Sequence, residues 1–230
     1  MHRLAVVLAL CVVVFPGGRA AAAEPCPDVV GAVASIEGTL EVQREADPAW
    51  AALAVGDPLC RADTVRTGTL SRAALSLRNE AVLRLDAETT LTLADVAAEP
   101  TGRSLLGLAL GALQSFSRKP REVDIQAPHM VLAVRGTEFT VRADGERSLV
   151  AVQEGTVVAS NDQGELAVRS GQSALARAGE APQPYLLVRP SDAVQWALHY
   201  PAVLTLDAEL AAMEPGEAIA SIDARPGAAE

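Results

Sequence analysis

The feature that most restricts how this chain can fold is a rhythm. From about residue 30 to residue 180, short stretches of alternating apolar and polar residues are interrupted by turn residues every eight to twelve positions. A period of two puts successive side chains on opposite faces of a strand, so each stretch reads as a strand with one buried face. Ala73, Leu75 and Leu77 alternate with Ala74, Ser76 and Arg78, and Leu83/Leu85, Leu91/Leu93, Phe139/Val141, Val150/Val152 and Leu166/Val168 keep the same step. Turns are expected at Val55-Gly56-Asp57-Pro58, Arg66-Thr67-Gly68, Asn79-Glu80, Asp144-Gly145, Glu154-Gly155, Asn161 to Gly164 and Ser170-Gly171-Gln172, with a hairpin around Glu37-Gly38. The expectation is an all-β sandwich, roll or solenoid of short strands, about five residues each. Half of the residues are hydrophobic but only 3% are aromatic, so its core must be built from Val, Leu and Ala.

The first residues read differently. Met1-His2-Arg3 is a short positive start, Leu4 to Phe15 is unbroken apolar sequence, and Ala20 to Ala23 supplies the small residues a signal peptidase requires. Twelve apolar residues fall short of the roughly 20 that span a bilayer. Residues 1–23 are therefore expected to be a signal peptide cleaved near Ala22 or Ala23, giving a periplasmic or cell-envelope protein with no membrane span in the mature chain. Loss of Arg3 and Arg19 would leave 17 basic against 29 acidic residues, a net charge of −12 in place of −10. Lys119 is the only lysine, and no basic run exceeds Arg118-Lys119 with Arg121. Binding to a phosphate backbone needs clustered positive charge, so nucleic acid is excluded as the main partner. Cleavage would also remove Cys11, leaving Cys26 and Cys60, an even pair that reads as a disulfide in an oxidising compartment.

Two further stretches need a reading. Leu105 to Leu113 is apolar on every face and carries a Gly-xxx-Gly spacing, which is expected to be a buried strand or short core helix because it is far below spanning length. Residues 24–181 would form the β domain. Residues 182–204 read as a proline-containing linker and a short helix, with Ser191 capping Asp192 to His199 and Pro201 ending it. Residues 205–230 read as one more short helix and a flexible acidic tail.

The ordered motifs resemble the FecR domain, the periplasmic module of the iron-dicitrate regulator family. Leu53 to Leu59, with Gly56 and Asp57, and Asp63-Thr-Val-Arg66-Thr-Gly68 resemble its opening. Ser71 to Leu77 and Asn79-Glu80 with Leu83 to Asp86 resemble its central strands. Arg135-Gly136-Thr137-Glu138-Phe139 resembles its Gly-Thr-x-Phe signature, and Val152 to Val157, with Gly155, and Ser170-Gly171-Gln172 resemble its closing elements. The resemblance covers roughly residues 30 to 180 and implies a FecR-like sandwich or roll of short antiparallel strands. Gly111 to Arg118 and Val188 to Pro201 resemble exported proteins that join this domain to tetratricopeptide repeats. Only 26 residues follow Leu204, fewer than one repeat of about 34 residues. The family's signalling members begin with a cytoplasmic segment that binds a sigma factor; the signal-like start here implies a different mode of action.

Catalytic patterns are thin. A nucleophile needs a base in reach, and only His129 and His199 offer an imidazole in the mature chain; no Gly-x-Ser-x-Gly, His-Glu-x-x-His or phosphate-loop pattern occurs. Two thiols and two histidines make a metal site improbable, and no cofactor is expected. The reading is a non-enzymatic interaction, signalling or scaffold module with an envelope protein as partner. Trp196 and Tyr200 are the candidate contact residues, because amphipathic aromatics anchor interfaces. The alternative is a small-ligand or glycan-binding envelope sensor.

Overall fold

The computed structural model describes residues 26–99 and 102–186. The expected leader, the helix over Asp192 to His199, and Trp196, His199 and Tyr200 lie outside the described residues. Within them the chain is all strand: β1 (Val29–Glu37), β2 (Leu40–Arg44), β3 (Asp47–Ala52), β4 (Pro58–Cys60), β5 (Thr64–Thr67), β6 (Arg72–Leu77), β7 (Val82–Leu85), β8 (Thr90–Asp95), β9 (Arg103–Ala127), β10 (Met130–Ala143), β11 (Arg147–Asn161), β12 (Gly164–Arg169), β13 (Ser173–Arg177) and β14 (Gln183–Pro184). All pairings are antiparallel.

One continuous hydrogen-bonded sheet runs β14-β13-β11-β10-β9-β7-β6-β1-β4, with β12 attached to β11 and a branch β9-β8-β5-β2-β3. The sheet is folded on itself. A straight strand from Met130 to Ala143 would be ~43 Å long. Yet the amide of His129, beside Met130, donates to Oγ of Ser148, which pairs with Ala143, at 3.3 Å. The β9–β10–β11 ribbon is thus bent double. β9 turns twice: Arg103 at its start bonds Asp124 near its end at 3.2 Å, where a straight strand would separate them by ~70 Å.

Two layers result. One holds the nine-strand path through the middle of β9; the other holds β3, β2, β5, β8 and the start of β9, continued by the end of β9, the start of β10, the end of β11 and β12. Leu40, Val65, Leu91, Leu106, Leu132 and Val157 of the second layer share one core with Leu75, Leu83, Leu113, Phe139 and Val150 of the first.

The strands are not uniformly short, as the rhythm suggested: β9 has 25 residues, β10 has 14 and β11 has 15. Some expected turns are instead bends within strands. The apolar run from Leu105 to Leu113 lies in β9, and Gly111 (φ +92°) sits at its first bend, where a Cβ would fall 2.4 Å from Cα of Thr89. The register shift there moves the inward positions from Leu106 and Leu108 to Leu113, so the core face stays apolar round the corner. Glu154-Gly155 lies inside β11, not at its end. Glu37-Gly38 does not make a hairpin, because β1 pairs with β4 and β6 while β2 pairs with β3 and β5. It carries the chain between layers, with Gly38 at φ +79° and the Thr39 amide donating to Oγ of Ser71 at 2.9 Å.

The second bend runs across the ribbon. Gly136 faces Gly155, and the register shifts between Gly136 and Glu138 and again between Glu138 and Phe139; residues 117–120 of β9 have no partners on β10. At Gly155 (φ +115°) a Cβ would lie 2.4 Å from Cα of Gly136 and 2.5 Å from the carbonyl of Arg135, so two backbones meet where no side chain fits. Gly155→Ala is expected to lower unfolding free energy by about 2–3 kcal/mol in urea titration. Gly171→Ala, at φ +79° but with open space around its Cβ, should cost about 1 kcal/mol. Equal losses would show that backbone conformation, not the crossing, sets the requirement.

Candidate functional site

The motif residues read from the sequence fall into two groups, which the fold keeps apart. The first surrounds the entry to the sandwich. Cys26 and Cys60 are bridged, with Cα atoms 5.6 Å apart, and tie the start of the described chain to β4. Asp63, 1% exposed, lies three residues further on. Its Oδ2 accepts the Cys60 amide at 2.7 Å and Nη1 of Arg44, while Oδ1 is buried without a partner. Arg44 also donates to Sγ of Cys60 at 3.1 Å and to the carbonyl of Pro58 at 3.3 Å, so one guanidinium joins β2, β4 and the bridge. Burial pushes the Asp63 carboxyl above its ordinary value, outweighing the Cys60 amide and the Arg44 charge, which pull it down.

Around this knot the turn residues have local roles. Gly56 (φ +91°) donates to the carbonyl of Val33 at 2.8 Å, and Oδ2 of Asp57 accepts the Ala54 amide at 2.8 Å. Arg66 bonds Glu41 at 2.7 Å and lies 4.0 Å from the centroid of the Trp50 ring, a cation–π contact at the surface. Gly68 passes so close to Thr39 that a Cβ would reach its Oγ1 at 2.3 Å.

The second group lies along the ribbon bend. Phe139 is in the core and Arg135 is exposed, paired with Glu122 at 2.9 Å. Thr137 is buried at the register shift, its hydroxyl without a partner. The Gly155 amide donates to Oγ of Ser170 at 3.0 Å, and the Gly171 amide to the carbonyl of Val152 at 2.8 Å. Sequence reasoning missed the polar strip beside this bend. There Gln114 accepts from Arg84 at 3.3 Å and donates to Glu138 at 2.7 Å, and Arg121, nearly buried, reaches Glu80 at 2.9 Å. Only the strand register brings these residues together.

Clefts open on the surface of the described residues. One, about 340 Å³, lies between β12, the Gly171 turn and Pro184 to Leu186. Another, about 380 Å³, lies among three hairpin tips and is lined by His129, Asn161, Asp162, Gln163 and Arg177. Nε2 of His129 is buried there without a hydrogen-bond partner, while the Asn161 amide group bridges the carbonyls of His129 (3.0 Å) and Glu180 (2.7 Å). Among the described residues no cluster of His, Cys, Asp and Glu is arranged to hold a metal ion, and no helix is long and apolar enough to cross a membrane.

Residues 63–158, from the buried Asp63 through the glycine crossing, match the family model described as FecR protein. Over these residues the chain is similar to a FecR domain. Its fold is similar to two crystal structures of a candidate anti-sigma factor from Parabacteroides distasonis ATCC 8503, each at 14% identity, with TM-scores of 0.51 and 0.50. The similarity covers 59% of this chain and 64% and 65% of those chains, so this chain matches just under two thirds of their length. No curated protein matches the chain.

Two tests follow for the entry knot. Replacing Cys26 and Cys60 by Ser opens a loop of 34 residues and is expected to cost about 3–4 kcal/mol in denaturant titration, an effect that reductant should reproduce in the parent. For Asp63, an acid whose pKa is raised by folding binds more protons in the folded state, so its contribution to stability falls as pH rises from the ordinary value of 3.8 through the folded value. The stability of the parent relative to Asp63→Asn should therefore be greatest near pH ~4 and shrink toward pH ~7. A difference that grows with pH would make the Arg44 pair, not burial, the dominant influence.

Proposed function

We propose that this chain is an exported, non-enzymatic FecR-domain protein that works as a protein-interaction module, in a regulatory or scaffold role, in the bacterial cell envelope. The observation that carries the reading is the FecR match over residues 63–158. The folded sandwich similar to anti-sigma-factor structures supports a regulatory module, and the Cys26–Cys60 bridge supports an oxidising compartment. The mechanism of a sigma-factor regulator is not carried over with the fold. The module's partner is an envelope protein. Trp196 and Tyr200 lie outside the described residues, and the reading does not depend on them.

The test is in-cell crosslinking and affinity capture with the tagged chain exported through its own leader, set against an unrelated exported domain. The expected result is one envelope protein that, once purified, rebinds the purified chain with saturable affinity. Repeated failure of any captured protein to rebind, with the chain folded and exported, overturns the proposal. The hairpin-tip cleft, with His129, Asn161, Gln163 and Arg177 converging on it, supports a second reading as a small-ligand or glycan sensor. Calorimetric titration with cell-wall fragments separates the two: saturable heat that is lost in Arg177→Ala favours the sensor, and a blank series removes it.

A further inference from the structure

The first layer has an inner face, packed in the core, and an outer face that no described strand packs against. Register places Ala74 (β6), Arg84 (β7), Gln114 (β9), Thr140 (β10), Ala151 (β11) and Ser173 (β13) in one cross-strand row on that outer face. An open sheet face shows its side chains to water. Most of this row does not: Ala74 is 0% exposed, Gln114 3%, Thr140 4%, Ala151 1% and Ser173 6%, with Arg84 half-buried, and in the next row Ala112 is 0% and Leu175 7% exposed. None of these seven buried residues belongs to the core cluster between the layers. At the rim Phe116 is 45% exposed and the Arg142 side chain 51%, and Gln114 of the row bonds Arg84 and Glu138. The Thr140 hydroxyl in this row is buried as well, with no hydrogen-bond partner among the described residues.

We propose that the cover is this chain's own segment 187–204, laid across the outer face with Trp196 over the central small residues. The described chain arrives at the right place. β14 pairs with β13, and the Tyr185 amide donates to the carbonyl of Ser173, the last residue of the buried row, at 2.9 Å. Leu186 follows with 90% of its surface exposed. Crossing from β13 to β6 takes five strand spacings, ~24 Å. Five extended residues, 187 to 191, reach ~16 Å, and the eight from Asp192 to His199 add ~12 Å as a helix, so the segment spans the row. Its chemistry is complementary. A floor mostly of Ala, Ser and Thr leaves room for large side chains, and the segment brings Trp196 and Tyr200, spaced i, i+4 for one helix face, from a chain with only seven aromatic residues in all. At the other end of the chain residues 1–23 are the expected leader, and the described chain starts at Cys26, which is bridged to β4 at the opposite edge of the layer.

This inference stands apart from the partner reading, because it is read on the purified chain alone. In the mature chain with Trp50→Phe, Trp196 is the sole indole. Its fluorescence should be blue-shifted and several-fold less quenched by acrylamide than a free indole, and Ala151→Glu on the sheet should expose it while the β-sheet circular dichroism is kept. Tyr200→Asp, changed in the segment, should give the same exposure if Ala151→Glu fails to fold. Trp196→Ala should lower the melting temperature. An indole fully open to quencher in the parent overturns the proposal, and so does an unchanged melting temperature in Trp196→Ala. Shielding that appears only in the precursor with its leader assigns the face to residues 1–25 and overturns it equally.

Discussion

The contact on which the rest of the architecture depends is between two backbones. Gly136 and Gly155 approach so closely that neither position has room for a Cβ, and at this line the β9–β10–β11 ribbon doubles back. Antiparallel strands of 14 to 25 residues would, if straight, form a long flat ribbon with both faces wet and unpaired edges open to other chains. Bending the ribbon turns its two halves into opposing layers, so that one set of strands supplies both walls of the core. The bulges make this possible without changing the composition of the inner face, because each shift of register restores the inward parity after the corner.

The consequence is a core of aliphatic side chains. Phe139 is the one aromatic residue among its largest buried members, surrounded by Leu, Val and Ala. Layers about 10 Å apart are filled well by such side chains. Charge has a smaller part. Arg103 bridges the two halves of the second layer through Glu122 and Asp124, but more than half of its side chain is exposed, and pairs of that kind are worth about 0–1 kcal/mol. The layer is closed by the covalent continuity of β9, and the ion pairs only decorate the seam. Asp63 with Arg44 is different, being placed where the bridge, β2 and β4 meet, and there desolvation works against the ionised carboxyl.

Much of the fold is legible in the residues. The alternation at Ala73 to Leu77, Leu83 to Leu85 and Val150 to Val152 gives strands with the correct faces inward, and Asn79-Glu80, Asp144-Gly145 and Asn161 to Gly164 are turns between paired strands. The errors share one physical origin. A glycine with positive φ has the same local signature whether the chain reverses there or bends while its ladder continues, and only the partner strand decides which. Glu154-Gly155 bends β11 within its ladder, and Glu37-Gly38 passes the chain to the other layer, so neither makes the expected reversal. The strip of Arg84, Gln114 and Glu138 could not be read at all, because it depends on a register between three strands distant in sequence.

A sandwich built this way has consequences for how it can act. Its layers are one hydrogen-bonded sheet, so moving one wall relative to the other would break ladders on both sides of the glycine crossing, and the bridge fixes the entry of the chain as well. A ligand or partner can shift a protein only between states it already has access to, and a sheet closed in this manner offers few. Regulation through such a domain is therefore carried by what is displayed on it: hairpin tips, free strand edges, and any segment that covers or uncovers the outer face. Of these, the outer face is set apart by Ala74, Ala112 and Ala151, which are buried without belonging to the core between the layers.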